Sequence, residues 1–123
     1  MLASSIVWIL RISGAVTALA GAGAFLGPAP LLKLVFGIDR EDAATTFFVR
    51  HWGVLVAVTG MLIAWSAYLP DARLPILIAG AAEKAVLIAL VFFGPLKRTP
   101  GMTLIAAMDG VFTILYVLYL TGV

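Results

Sequence analysis

Four apolar runs, each near the length of a membrane-crossing helix and each bounded by proline or glycine, leave this chain little choice of architecture. A hydrocarbon core of about 30 Å needs roughly 20 apolar residues per helix, and lipid accepts only helices or closed barrels, because nothing there satisfies an open backbone. The runs fall at 5–26, 45–69, 74–93 and 102–120. Of the 123 residues, 63% are hydrophobic and 11% charged, well away from the balance of soluble domains. The expected fold is all-α: an integral membrane four-helix transmembrane bundle, one domain over 1–123, with a short interfacial segment at 31–38 after the first helix.

The punctuation supports these limits. Gly27-Pro28-Ala29-Pro30 stops the first run, since the prolines lack donors and fix φ. The stretch 31–38, with Lys33 among apolar residues, is too short to cross and is expected along the interface, ahead of a solvated Asp39-Arg40-Glu41-Asp42 loop. Pro70-Asp71-Ala72-Arg73 reads as a tight turn. Pro75 suits the first turn of the third span, and Gly94-Pro95 with Lys97-Arg98 leads to the fourth. The first run lacks a basic leader and is broken by Arg11, so it is read as a retained helix and not as a signal peptide.

Charge and cysteine content exclude several classes. A net charge of +2, scattered or confined to short loops, gives no nucleic-acid footprint. No cysteine is present, so disulfides, thiol nucleophiles and thiolate metal sites are excluded. Phosphate-loop, dinucleotide-binding, nucleophile-elbow and zinc-protease motifs are missing as well. Short-loop cations set orientation: Lys33, Arg40, Lys97 and Arg98 lie in loops one and three against Arg73 in the second turn. Loops one and three are therefore expected in the cytoplasm of a bacterial inner membrane, both termini outside. Trp8, Trp65, Tyr68, Tyr116 and Tyr119 would form an aromatic belt on the outer side.

Against this apolar background every span carries an ionisable residue: Arg11; Arg50 and His51; Glu83 and Lys84; Asp109. Charges at such depth are costly and face protein or water. Small residues mark the inward faces: Arg11, Gly14, Ala18 and Gly21 in the first span, then Arg50, Gly53, Ala57, Gly60, Ala64 and Ala67 in the second. Ala79, Ala82, Glu83 and Ala89 do so in the third, and Ala106, Asp109 or Gly110, Thr113 and Tyr116 in the fourth. At 1.5 Å per residue from the cytoplasmic ends, Arg50 and His51 lie about 8 Å deep, Asp109 about 11 Å, Glu83 about 16 Å and Arg11 about 25 Å. Arg50 and Asp109 are nearly level, and their pairing is expected to be the bidentate kind that arginine forms best. Lys84, turned about 100° from Glu83, is expected at a second interface, such as an oligomer contact or a neighbouring span.

The candidate acid and base groups are thus Glu83, Asp109 and His51, with Arg50, Arg11, Trp52 and Lys84 as candidate ligand-binding residues. No metal site and no cofactor are expected. Haem through His51 would need a second ligand or an open position.

Phe48-Val49-Arg50-His51-Trp52-Gly53, with Glu83-Lys84-Ala85 and Ala107-Met108-Asp109, resembles a group of small bacterial four-helix membrane proteins that are loosely DoxX-like. The resemblance implies the same four-helix membrane fold and brings no established activity with it. Three functions remain open. The first is a buried polar cluster facing an intramembrane pocket for a small lipophilic molecule, for binding or acid/base isomerisation. The second is a proton-coupled transporter built as a homo-oligomer, with Glu83 as the protonation site. The third is a structural or accessory subunit whose charges specify packing.

Overall fold

Proline placement explains where the helices begin. In the computed structural model, which describes residues 2–37, 43–95 and 98–122, prolines stand in the first turns of a helix at Ala29–Phe36, a 3-10 turn at Pro70–Ala72 and a helix at Pro100–Leu120. A missing N–H costs nothing at those positions, and the fixed φ already matches the helix. The full order is α1 Leu2–Leu26, α2 Ala29–Phe36, α3 Ala43–Ser66, the Pro70–Ala72 turn, α4 Arg73–Phe93 and α5 Pro100–Leu120. No strand occurs among the described residues.

The expected spans are present with shifted ends. The first starts earlier, at Leu2, and the second stops earlier, at Ser66, where Ser66 Oγ donates to the Ile63 carbonyl at 2.6 Å. The fourth begins at Pro100, because Thr99 caps it by accepting from the Met102 amide at 3.1 Å. The interfacial segment forms α2, which starts at Ala29 and closes on Gly37 in the left-handed conformation, φ 70°. Ile38, the charged loop 39–42 and Lys97 lie outside the described residues.

α1, α3, Pro70–Phe93 and α5 are long and apolar enough to cross a membrane, which marks a small multi-pass membrane protein. Their outward residues, such as Leu19, Val58, Val86, Leu104 and Ile114, are exposed and apolar, as contact with lipid requires. Inside, the helices form two pairs. α1 packs chiefly on α3 and α4 on α5, and contacts between the pairs are sparser.

Glycine explains the first pair. The stripes of α1 and α3 face each other antiparallel: a Cβ added at Gly14, Gly21, Gly53 or Gly60 would fall within 3.0 Å of the opposing backbone. Only hydrogen fits there, so the two backbones touch, the small-residue packing that lipid favours. Elsewhere the pairs are joined by an apolar core of Ile6, Leu10, Ile63, Ala67, Leu77 and Tyr116, gathered toward the end that carries the Pro70–Ala72 turn. At the opposite end α2 folds back on α5. Thr99 Oγ1 donates to the Val35 carbonyl, and Phe36 meets Trp52 edge-on with ring centroids 5.6 Å apart.

Candidate functional site

Lys84 is the centre of the site and reaches two other spans. It is fully buried, and its ammonium donates to Asp109 Oδ1 at 2.8 Å and to Thr17 Oγ1 at 2.8 Å. The ring of Phe112 lies 5.7 Å from the same nitrogen. One side chain on α4 therefore ties α1 to α5 across the boundary between the helix pairs. Setting Lys84 off the inward face of its helix assumes one narrow inward line per helix, yet it is fully buried. In this bundle α4 has neighbours on two sides, so its buried arc is wide enough for residues about 100° apart.

Glu83 sits on the flank of that arc and is half-buried. Its Oε2 is shut off from solvent and has no hydrogen-bond partner. Lys84 follows it directly on the helix and is bonded to Asp109. Of the two carboxylates, Asp109 holds the Lys84 ammonium.

A second polar link continues the line. Tyr116, fully buried on α5, donates its hydroxyl proton to Ser13 Oγ of α1, itself fully buried. Ser13 and Thr17 stand one helical turn apart, as do Thr113 and Asp109, and Thr113 Oγ1 donates to the Asp109 carbonyl at 2.7 Å. The result is a polar ladder through apolar surroundings: Tyr116 with Ser13, then Thr17, Lys84 and Asp109, with Glu83 beside it. The Tyr116–Ser13 and Lys84–Thr17 bonds join α1 to the α4–α5 pair. Tyr116 belongs to this ladder and not to an exposed aromatic belt, whereas Trp8, Trp65 and Tyr68 are exposed.

Arg50 does not pair with Asp109. Its Nη1 reaches the carbonyls of Ala24 at 3.3 Å, Phe25 at 2.9 Å and Gly27. The last carbonyls of a helix lack internal partners and carry its negative dipole end, so a guanidinium there is doubly favoured. Arg73 repeats the device at the other end of the bundle. Buried at the start of α4, it donates to the carbonyls of Ser66 and Ala67, each at 2.8 Å, where α3 ends. Each of the first two spans is thus closed by an arginine from the next.

The remaining candidates stand apart from the ladder. Arg11 lies between the rings of Trp8 and Tyr68, 5.0 Å from each centroid, with its Nε buried and unpartnered. It belongs to the aromatic end of the bundle. Trp52 holds α2 against α3 through Phe36, and with Leu87 and Val91 lines an apolar cavity of about 30 Å³. His51 is exposed beside Phe47, ring centroids 6.4 Å apart, and no group of three His, Cys, Asp or Glu able to hold a metal occurs among the described residues.

Ser13, Thr17 and Arg73 were not singled out by sequence reasoning. Ser13 and Thr17 carried a signal, being hydroxyls spaced by four in an apolar run. Arg73 gave none, since a loop arginine looks solvated until the turn folds it inward. Comparison with protein-family models, curated proteins and solved structures finds no match, so the likeness to the small bacterial four-helix group rests on the quoted motifs alone.

Proposed function

We propose that the chain is a proton-coupled transport protein of the membrane, with Glu83 as the residue that takes up and releases the proton. The observation that carries this reading is the Glu83 Oε2, buried without a donor next to the Lys84–Asp109 pair. One ammonium stands among two carboxylates, and it is bonded to Asp109. The other carboxylate is left to bind a proton. Protonation of Asp109 would release Lys84 toward Glu83, and protonation of Glu83 holds Lys84 on Asp109. The ladder therefore has two arrangements that differ by the position of a proton, at the boundary between the helix pairs, where contacts are sparser than within them. Coupling of this kind needs a bistable element, and the boundary between the pairs supplies a hinge for it.

A lipophilic-ligand site with Glu83 or Asp109 as acid/base group has weaker support, because neither of the two described cavities is lined by either residue. A packing role is favoured by one observation: Ser13, Thr17, Lys84, Asp109 and Tyr116 all have partners on another helix.

The test is proton flux into liposomes reconstituted with the purified protein, driven by a potassium diffusion potential and read with a trapped pH dye. Glu83→Gln should lower the flux at least about tenfold, one decade in rate corresponding to about 1.4 kcal/mol, while Ala82→Gln on the exposed neighbour leaves it intact. Wild-type flux equal to that of empty liposomes, or Glu83→Gln at the wild-type rate, would remove the proposal.

A further inference from the structure

At the end of the bundle that carries the Pro70–Ala72 turn, a cavity of about 370 Å³ opens among Ala3, Pro70, Arg73, Leu74, Tyr119 and Leu120. Among the described residues that line it, Arg73 carries the one charge. Arg73 is 9% exposed, and no carboxylate is paired with it among the described residues. Nε and Nη2 spend a proton each on the carbonyls of Ser66 and Ala67, and Nη1 donates to the Tyr119 hydroxyl at 3.3 Å. Each terminal nitrogen of a guanidinium carries a second N–H, so donors remain beyond those that cap α3. A cation held out of water without a counter-charge is expensive, and an anion in the cavity would offset that cost.

The surroundings say which anion. The turn joins two spans, so Arg73 and Tyr119 stand where chain meets membrane surface. Trp8, Trp65 and Tyr68, exposed at the same end, mark that level, since such rings collect at the headgroups. Leu74, 58% exposed, and Leu120 give the cavity apolar walls beside the cation, as an acyl chain below a phosphate would need. Asp71 lies on the exposed turn and is not part of the wall. Arginine is the side chain best matched to phosphate oxygens.

We infer that this cavity binds a phosphate group through Arg73 and the Tyr119 hydroxyl, the phosphate being that of a lipid whose chain runs along Leu74 and Leu120, or a free phosphate of the same chemistry. The site is independent of Glu83, and so of the transport reading.

Binding is read by native mass spectrometry of the purified full chain in detergent, titrated separately with dioleoylphosphatidylglycerol, dioleoylglycerol and inorganic phosphate. Phosphatidylglycerol should bind at least about tenfold more tightly than dioleoylglycerol, which lacks the phosphate; tenfold is about 1.4 kcal/mol. Competition by millimolar inorganic phosphate identifies free phosphate as a second ligand, and lack of competition assigns the site to the lipid. Two variants localise it. Ala3→Trp fills the cavity from the first turn of α1, and Tyr119→Phe removes the hydroxyl; each should weaken phosphatidylglycerol binding several-fold while leaving the unfolding temperature near that of the wild type. Arg73→Gln should abolish the preference, but it also strips the cap of α3, so Ala3→Trp decides. Equal binding of the two lipids with no binding of inorganic phosphate, or an unchanged preference in Ala3→Trp, overturns the inference.

Discussion

Between α1 and α3 the two backbones meet directly at Gly14, Gly21, Gly53 and Gly60, whereas between α1 and the α4–α5 pair the gap is bridged by Lys84, Asp109, Thr17, Tyr116 and Ser13. In lipid, apolar side chains gain little by leaving the acyl chains for one another, so helices associate by close van der Waals fit or by polar contacts. The chain uses one method on each side of α1. A steric contact between backbones has a single geometry and no second setting. A contact made by an ammonium, a carboxylate and three hydroxyls can exchange partners when a proton moves. Any motion linked to protonation is therefore expected at the polar boundary, with α1 and α3 moving as one body.

The largest effect should come from breaking the ion pair on one side only. Asp109→Leu leaves Lys84 charged and buried, a loss of about 3–5 kcal/mol, read as a lowered unfolding temperature in detergent by tryptophan fluorescence. Adding Lys84→Met should return most of it, since an apolar pair of similar volume is often no worse than a buried ion pair. The rescued double variant should then fold and carry no proton flux. If the double variant is as unstable as Asp109→Leu alone, the boundary is a steric contact like the glycine one, and the comparison fails.

Next in size is Gly60→Ala. The added methyl would press on the backbone of Ala18 and Gly14, and overpacking of this kind costs about 1–3 kcal/mol. No single replacement on α1 should rescue it, because the opposing atoms are main chain. Gly23→Ala, where a Cβ meets nothing within 4 Å, is the matched control and should be neutral or slightly stabilising. Equal behaviour of the two variants would mean that the backbones do not touch.

Much of this was legible in the sequence, for reasons that differ from residue to residue. Span number and type follow from apolar run length against bilayer thickness, which few alternatives can imitate. The faces used in the α1–α3 contact were legible because stripes of small residues mark close approach in lipid, although which helix each stripe meets was not. α4 was misread because alanine is a poor guide: Ala79 and Ala82 are exposed, while the buried line runs through Arg73, Leu77, Gly80, Lys84 and Val91. Gly80, whose added Cβ would meet Ile63 at 3.1 Å, was the residue to follow. The partner of Asp109 was misjudged because equal depth does not fix the facing direction. Arg50 stands beside the end of α1, where unpaired carbonyls compete for it at short range.

Removing that competition gives a smaller effect. Arg50→Gln keeps the length of the side chain roughly and loses the charge, so the last carbonyls of α1 lose their cation. Placement of a cation at a helix C-terminus is worth about 0.3–1 kcal/mol, up to about 2 when partly buried. Thermal unfolding should show a loss in that range with proton flux retained. A loss of flux at unchanged stability would return Arg50 to the functional site.

Tyr116→Phe should have the smallest effect and tests how far the polar boundary extends. The ring stays in the core with Ile63 and Leu77, so only the hydroxyl bond to Ser13 is lost. Interhelical hydrogen bonds in membrane proteins average about 0.6 kcal/mol and reach about 1.7. Ser13 can also turn its hydroxyl toward a carbonyl of its own preceding turn, which lowers the cost. A double-mutant cycle of Tyr116→Phe with Ser13→Ala isolates the bond from the packing. Coupling near the average makes the ladder a continuous polar contact from Tyr116 to Asp109. Zero coupling would confine the polar boundary to Lys84 and its two partners, leaving the Tyr116 end of the bundle held by apolar fit, as α1 and α3 are.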